Sequence, residues 1–120
     1  MEKTALTQQV CELYGNDILK RQAALTRAVK SAVKIFGTVH VDVALALLNL
    51  GDFFEQQNRL DQAEVAYKQA VDIYELLGVG HELLQAIALR SLASAVFDQG
   101  RMAESTSLRT RACHLIIGNQ

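Results

Sequence analysis

The sequence contains no proline and no tryptophan, and few of its residues are aromatic. Half of the residues are hydrophobic, and alanine, leucine, glutamine and valine predominate, which suits close-packed helices with small contact residues. A length of 120 residues is enough for one core and too short for a cofactor domain beside a substrate domain. We therefore expect an all-α protein that forms one domain over residues 1–120.

Neither sign of charge is in excess, and no long apolar run is present. Twelve Lys and Arg residues stand against thirteen Asp and Glu, for a net charge of -1, so the chain has no strong field to gather nucleic acid or an anionic membrane. The first ten residues lack the apolar run of a signal peptide, and no stretch approaches the roughly 18 apolar residues of a membrane span. We expect a cytoplasmic protein without nucleic-acid or membrane partners.

Cysteine is scarce, and residue types that support catalysis or metal binding do not cluster. Cys11 and Cys113 are far apart without a CxxC partner, so we expect reduced, buried side chains, with a disulfide as the alternative. His40 and His81 fall in matching turns, which they are predicted to structure, and His114 falls in the last helix. Nucleotide and nucleophile motifs are absent, and enzymatic activity would need an exposed cysteine beside a histidine or a carboxylate. We predict no catalysis, no cofactor and no metal.

The sequence does contain an internal repeat, which is the main indication of its architecture. A step of 42 residues pairs side chains of like size in the second and third thirds of the chain: Ala44 with Ala86, Ala46 with Ala88, Leu47 with Leu89, Leu50 with Leu92, and Ala70 with Ala112. Agreement of small with small and large with large indicates two copies of one structural unit.

A third copy is found by stepping backwards. The 42-residue step places Leu60 on Ile18 and Ala70 on Ala28, which identifies another second helix. The first helix of this copy needs a step of 40, which pairs Val10, Leu13 and Tyr14 with Leu50, Phe53 and Phe54. The two missing residues fall in a predicted turn at Gly15-Asn16, where shortening is tolerated.

Each unit divides into two helical segments, read from apolar residues three and four apart and from the glycine or asparagine between them. The predicted helices span residues 4–14, 17–36, 41–57, 60–77, 82–99 and 102–117. They form three antiparallel hairpins, at about 4–36, 41–77 and 82–117. Asp17, Asp42 and Asp61 are predicted N-caps.

The middle unit resembles the tetratricopeptide signature, with Leu47-x2-Leu50-Gly51-x2-Phe54 followed by Ala63-x3-Tyr67-x2-Ala70. Gly51 and Ala63 are expected where the two helices of the hairpin approach most closely, so that only small side chains fit. The third unit has Ser105 and Arg109 where the signature prefers alanine and an aromatic residue. Its second helix is therefore expected to pack more loosely, or one place out of register.

The linking segments and the long period resemble the kinesin light chain type of this repeat, which commonly has Gly-x-x-His-Pro-Asp-Val-Ala between units. Residues 37–44 keep most of that pattern with Val41 in place of the proline, and Gly78 and His81 keep its first and fourth residues. The resemblance implies a right-handed superhelical α-solenoid of three hairpins and six helices, whose first helices line a concave groove.

The groove positions that the resemblance implies are Leu45, Leu48, Asn49, Asp52, Gln56, Ile87, Arg90, Ser91, Ser94 and Phe97, with Thr4, Gln8 and Glu12 added by the first unit. Asn49 stands where family members often carry an asparagine that hydrogen-bonds the backbone of an extended peptide. Leu45, Leu48 and Ile87 would form an apolar strip, which marks a partner unless a neighbouring hairpin covers it. Arg90 is the main basic residue of this groove, which disfavours a ligand that ends in acidic residues.

The function predicted from these features is that of an adaptor or scaffold that holds a peptide or helical segment of another protein. One alternative is self-assembly into a homo-oligomer through the terminal helices, since the last helix ends in Leu115-Ile116-Ile117. Another is a regulatory part of a larger multidomain protein. The set Arg101, Arg109, Arg111 and His114 is expected to be a solvated cap rather than an anion site.

Overall fold

The computed structural model describes residues 2–118, and the side chains from Asp17 to Gly118. Over these residues the chain is all helical, as predicted, with neighbouring helices packed together in chain order. Short turns join α2 to α3 and α4 to α5 as antiparallel hairpins. The described helices are α1 (Glu2–Phe36), α2 (Val41–Gln56), α3 (Leu60–Leu77), α4 (Glu82–Asp98) and α5 (Met102–Ile117).

The first predicted hairpin is not seen, because α1 continues through Gly15-Asn16 from Glu2 to Phe36. The described chain therefore has five helices where six were predicted, and Asp17 lies inside a helix instead of capping one. A single glycine costs a helix only about 1 kcal/mol, and no proline forces the backbone out of it. At about 1.5 Å per residue, α1 is roughly twice as long as α2, so α2 can lie along only about half of it.

The turns inside the second and third units have the same backbone conformation. Asn58 and Gly100, which stand 42 residues apart, have φ angles of 58° and 87° in the left-handed region that favours these two residue types. Asn58 N donates to Glu55 O at 3.0 Å, and Gly100 N donates to Phe97 O at 2.9 Å. Both first helices thus end in the same way.

The N-cap of α2 is His40 rather than Asp42. The Nδ1 atom of His40 accepts a hydrogen bond from the Asp42 backbone N at 3.1 Å, and its ring stacks on Phe36 with centroids 4.2 Å apart. Asp42 and Asp61 were predicted as N-caps, but they lie inside the first turns of α2 and α3. The helix dipole still favours a carboxylate there. His81 precedes α4 at the matching turn without a side-chain capping bond.

The core lies between α2, α3, α4 and α5, and the two helices of the middle hairpin meet at a crossing of small residues. Ala63 and Ala70 are fully buried, and Gly51 is buried opposite the ring of Tyr67. A Cβ atom added to Gly51 would lie 2.6 Å from Tyr67 Cε1, which is closer than non-bonded carbon atoms come. Gly51 is therefore what lets the tyrosine ring lie between the helices.

The last hairpin packs as closely as the middle one, contrary to the looser or shifted packing that we expected. Ser105 takes the position of Ala63, is only 1% exposed, and donates from Oγ to Ala93 O at 2.8 Å. Ala93 takes the position of Gly51, and Arg109 takes that of Tyr67. The serine fits because its hydroxyl finds a backbone acceptor across the crossing.

Polar side chains tie the second helices of neighbouring units together at equivalent positions. Arg59 Nη1 donates to Gln22 Oε1 at 2.7 Å, and 42 residues later Arg101 Nη1 donates to Glu64 Oε1 at 2.6 Å. Arg111 Nη2 also contacts Glu75 Oε1 at 2.6 Å. Two of the arginines expected in a solvated cap therefore bridge α5 to α3 instead.

Glu64 is the acceptor on which this bridge depends. Burial raises its pKa, but the hydrogen bonds from Arg101 and Gln99 and the charge of Arg101 outweigh burial, so its pKa lies below the ordinary value of 4.5. A carboxylate whose pKa is lower in the folded state stabilises the fold above its unfolded pKa, and that contribution is lost as the pH falls through the folded pKa.

We predict that Gly51→Ala lowers the free energy of unfolding by about 1–2 kcal/mol in urea denaturation, because overpacking outweighs the better helix propensity of alanine. In a Tyr67→Leu background the same substitution should cost less, since the ring that meets the new methyl group is gone. Equal costs in the two backgrounds, or stabilisation by Gly51→Ala alone, would contradict this account of the crossing.

We also predict that Glu64→Gln lowers stability at pH 7 relative to the parent chain, and that the difference closes as the pH falls below about 4.5. Urea midpoints measured from pH 7 to pH 3 test this. Glu104→Gln is the matched control, because Glu104 pairs with the same arginine within one helix and does not join two units. A pH-independent difference for Glu64→Gln would show that the ion pair is not its cause.

Candidate functional site

A cleft of about 780 Å³ opens between the α2–α3 hairpin and the α4–α5 hairpin, and we call it the central cleft. Four helices supply its walls, so its shape depends on the stacking of the two hairpins. Its lining residues are Asp52 and Glu55 of α2, Tyr67 of α3, Ile87, Arg90, Ser91 and Ser94 of α4, and Arg109 and Cys113 of α5.

The structure brings together five of the thirteen predicted groove residues in this cleft: Asp52, Ile87, Arg90, Ser91 and Ser94. The other predicted residues whose side chains are described lie outside its lining. Leu45, Asn49 and Gln56 are exposed on α2, while Leu48 is partly buried against the core. Thr4, Gln8 and Glu12 belong to the part of α1 whose side chains lie outside the described residues.

Phe97, the last predicted groove residue, is an exposed ring on α4 that carries a cation on its face. The guanidinium carbon of Arg109 lies 5.7 Å from the centroid of this ring, and the ring is 45% exposed. Such a contact is worth about 0.5–1 kcal/mol at an exposed site. It holds the Arg109 side chain near α4, beside the cleft to which Arg109 contributes.

Four lining residues were not predicted, and two of them follow from the position of α5 at the end of the described stack. Arg109 and Cys113 stand 42 residues after Tyr67 and Val71, which are buried in the middle unit. No described helix follows α5, so the same face is open in the last unit. Cys113 is therefore exposed, contrary to the burial that we expected, and the side chain of Cys11 lies outside the described residues.

Tyr67 connects the acidic side chains of the cleft. Its ring is fully buried, and its Oη lies 2.6 Å from Asp52 Oδ1 and 2.8 Å from Glu55 Oε2. Burial, these two hydrogen bonds and the nearby negative charges raise the pKa of Tyr67, so the hydroxyl remains a neutral donor. One hydroxyl proton serves one acceptor at a time, so this wall offers more acceptors than donors.

The basic side chains of the cleft form no ion pairs with other described residues. Arg90 and Arg109 are both exposed, and neither forms an ion pair with another described side chain. Ile87, on the same helix as Arg90, is 46% exposed. The central cleft thus presents an acidic wall, two unpaired arginines and an apolar side chain.

The described residues contain neither a metal-binding cluster nor a membrane-spanning helix. Among them, no group of three or more His, Cys, Asp and Glu side chains could hold a metal ion. Within residues 2–118, no helix combines the length and the apolar character that crossing a bilayer requires.

Comparison with known families agrees with this architecture. Residues 22–76 match the family model described as tetratricopeptide repeat. The match identifies this part of the chain as tetratricopeptide repeat. The matched segment runs from the second half of α1 to the end of α3, so it includes the whole middle hairpin. Tetratricopeptide repeats generally mediate protein–protein interactions. No curated protein matches the chain.

We predict that Tyr67→Phe destabilises this repeat domain by about 1–2 kcal/mol, because it removes a donor from two carboxylates. Tyr74→Phe is the matched control, since Tyr74 is equally buried and its hydroxyl has no hydrogen-bond partner among the described residues. That substitution should be neutral or stabilising. Thermal unfolding followed by circular dichroism compares the two, and equal losses would contradict a special role for the Tyr67 hydroxyl.

Proposed function

We propose that this chain is an adaptor or scaffold domain that binds an extended or helical segment of another protein in the central cleft. The observation that carries the proposal is that Arg90 and Arg109, which form no ion pair with another described side chain, share the cleft with the half-exposed Ile87. Exposed charges and apolar surface that share one concavity favour a ligand that contacts both. The tetratricopeptide repeat match over residues 22–76 supports the same conclusion, because such repeats generally mediate protein–protein interactions.

The chemistry of the cleft favours a partner segment that carries both signs of charge. A lysine or arginine of the partner would pair with Asp52 and Glu55, which have acceptor capacity beyond the single Tyr67 proton. An acidic residue of the partner would pair with Arg90 and Arg109 on the other side. A purely acidic tail gains from the arginines but is repelled by the two carboxylates, so it binds less well.

Several finer features belong to this proposal. The repeat is of the kinesin light chain type, and the hairpins follow a right-handed superhelix within one domain over residues 1–120. The protein acts in the cytoplasm, without catalysis, cofactor, nucleic acid or membrane. Asn49, exposed on α2 outside the central cleft, contacts the backbone of the bound segment where that segment leaves the cleft. The matching turns that contain His40 and His81 support the kinesin light chain type.

The partner class can be tested with peptides displayed in three libraries, rich in both charges, in acidic residues or in basic residues. We predict that the mixed-charge library yields the tightest binders and that Arg90→Glu weakens them at least about tenfold, as expected for a lost charge pair that becomes a repulsion. Lys68→Glu is the charge-matched control, since Lys68 is exposed on α3 outside the central cleft.

Two outcomes would contradict the proposal. Equal losses of affinity for Arg90→Glu and Lys68→Glu would show that binding follows net charge and not the central cleft. The absence of any binder from all three libraries would reject peptide binding by this cleft.

A further inference from the structure

The second helices of the units have a face that the first helix of the same unit covers. Helix α5 identifies it, because α5 packs chiefly on α4. Ser105 and Ala112 are both 1% exposed there, and Ser105 bonds directly to Ala93 of α4. We call this the inner face, and in α5 it contains Ser105, Leu108, Ala112 and Leu115, spaced three and four residues apart.

The same positions are buried in α3 and exposed in α1. Stepping back 42 residues from α5 gives the inner face of α3, which is 0–8% exposed: Ala63, Ala66, Ala70 and Ile73. A second step gives Arg21, Ala24, Ala28 and Ser31 of α1, and all four are exposed. The contrast is sharpest for one set of alanines, since Ala70 and Ala112 are covered while Ala28 is open.

The opposite contrast appears on the face that meets the following unit. Leu25 and Val29 of α1 are partly buried against the core, whereas Arg109 and Cys113, their equivalents in α5, are exposed. At each end of the described stack, the second helix therefore has one face on which no described helix packs. In α1 this is the inner face, on which a first helix packs in the other units.

The open face on α1 has the shape of a helix-packing surface. Ala24 and Ala28 lie one turn apart, and small residues at that spacing allow another helix to approach closely. The one large residue of the set, Arg21, has its guanidinium carbon 5.6 Å from the centroid of the Phe53 ring on α2. That contact draws its side chain toward α2.

The chain contains a segment with the sequence of the missing first helix. Val10, Leu13 and Tyr14 repeat the pattern of Leu50, Phe53 and Phe54 in the first helix of the middle unit. In the structure this segment continues in line with residues 17–36 as one helix, so it cannot lie along the inner face of its own α1. The same segment of a second copy can.

We propose that two copies of this chain exchange residues 4–14. The two α1 helices lie antiparallel and cross at Gly15-Asn16, and residues 4–14 of each copy cover Ala24 and Ala28 of the other. The arrangement is isologous and closed, because both copies give and receive the same segment. The inference does not depend on the proposed ligand of the central cleft.

The exchange also completes the row of first helices. Each copy would contribute Thr4, Gln8 and Glu12 beside α2 of the other copy, so a row of two first helices becomes a row of three. The partner copy thus lengthens the row of first helices beside α2, outside the central cleft. A chain held as a monomer would present the shorter row.

The oligomeric state measured by light scattering over a wide range of protein concentration tests the exchange. We expect a dimer that Ala28→Arg weakens about tenfold or more, because a large charged side chain overpacks the covered face. Ala23→Arg is the matched control, since Ala23 is exposed and its equivalent Val65 is 57% exposed in the middle unit. A strictly monomeric parent chain, or equal effects of the two substitutions, would overturn the proposal.

Insertion at Gly15-Asn16, where the two α1 helices are proposed to cross, provides a second and independent test. A flexible Gly-Ser insertion between Gly15 and Asn16 allows residues 4–14 to fold back on their own α1, so it should convert the dimer to a monomer without loss of helix content. Replacing Gly15 and Asn16 by alanine favours the continuous helix and should retain the dimer. A dimer unaffected by the insertion would show that the contact lies elsewhere and would overturn the exchange.

Discussion

The structure depends on one constraint, the close approach of the two helices within each unit across a face of small side chains. Gly51 lets the Tyr67 ring lie between α2 and α3, and Ser105 bonds across to Ala93 between α4 and α5. This approach fixes the height and rotation of each second helix against its first helix. The hydroxyl of Tyr67 reaches Asp52 and Glu55 because of that geometry, and the central cleft takes its acidic wall from it.

The repeated pattern predicts most of the fold because it records local contacts that recur in every unit. The bounds of α2 to α5 agree with the predicted helices to within one residue, since alternating small and large residues specify each crossing. The pattern could not predict features that depend on which helix packs beside a given helix. Arg109 and Cys113 line the cleft because no described helix follows α5. Helix α1 continues through Gly15-Asn16 because a glycine and an asparagine, without a proline, do not force the backbone into a turn.

The cleft and the ends of the stack follow from the same cause. A face that is buried in the middle unit becomes available wherever the neighbouring helix is lacking, and the side chains at that position then acquire another role. At α5 this exposes an arginine toward the central cleft. At α1 it exposes Ala24 and Ala28, whose small side chains allow another helix to approach closely. The five predicted groove residues that line the cleft all lie on α2 and α4, the first helices of their units.

The central claim is that the inner face of every second helix in this protein packs against another helix. Isotope-filtered NMR on a mixture of alanine-methyl-labelled and unlabelled chains tests it most directly. The account predicts nuclear Overhauser contacts from the Ala24 and Ala28 methyl groups to residues 4–14 of an unlabelled chain. Contacts from these methyl groups to their own chain alone, or methyl groups that contact only water, would contradict it.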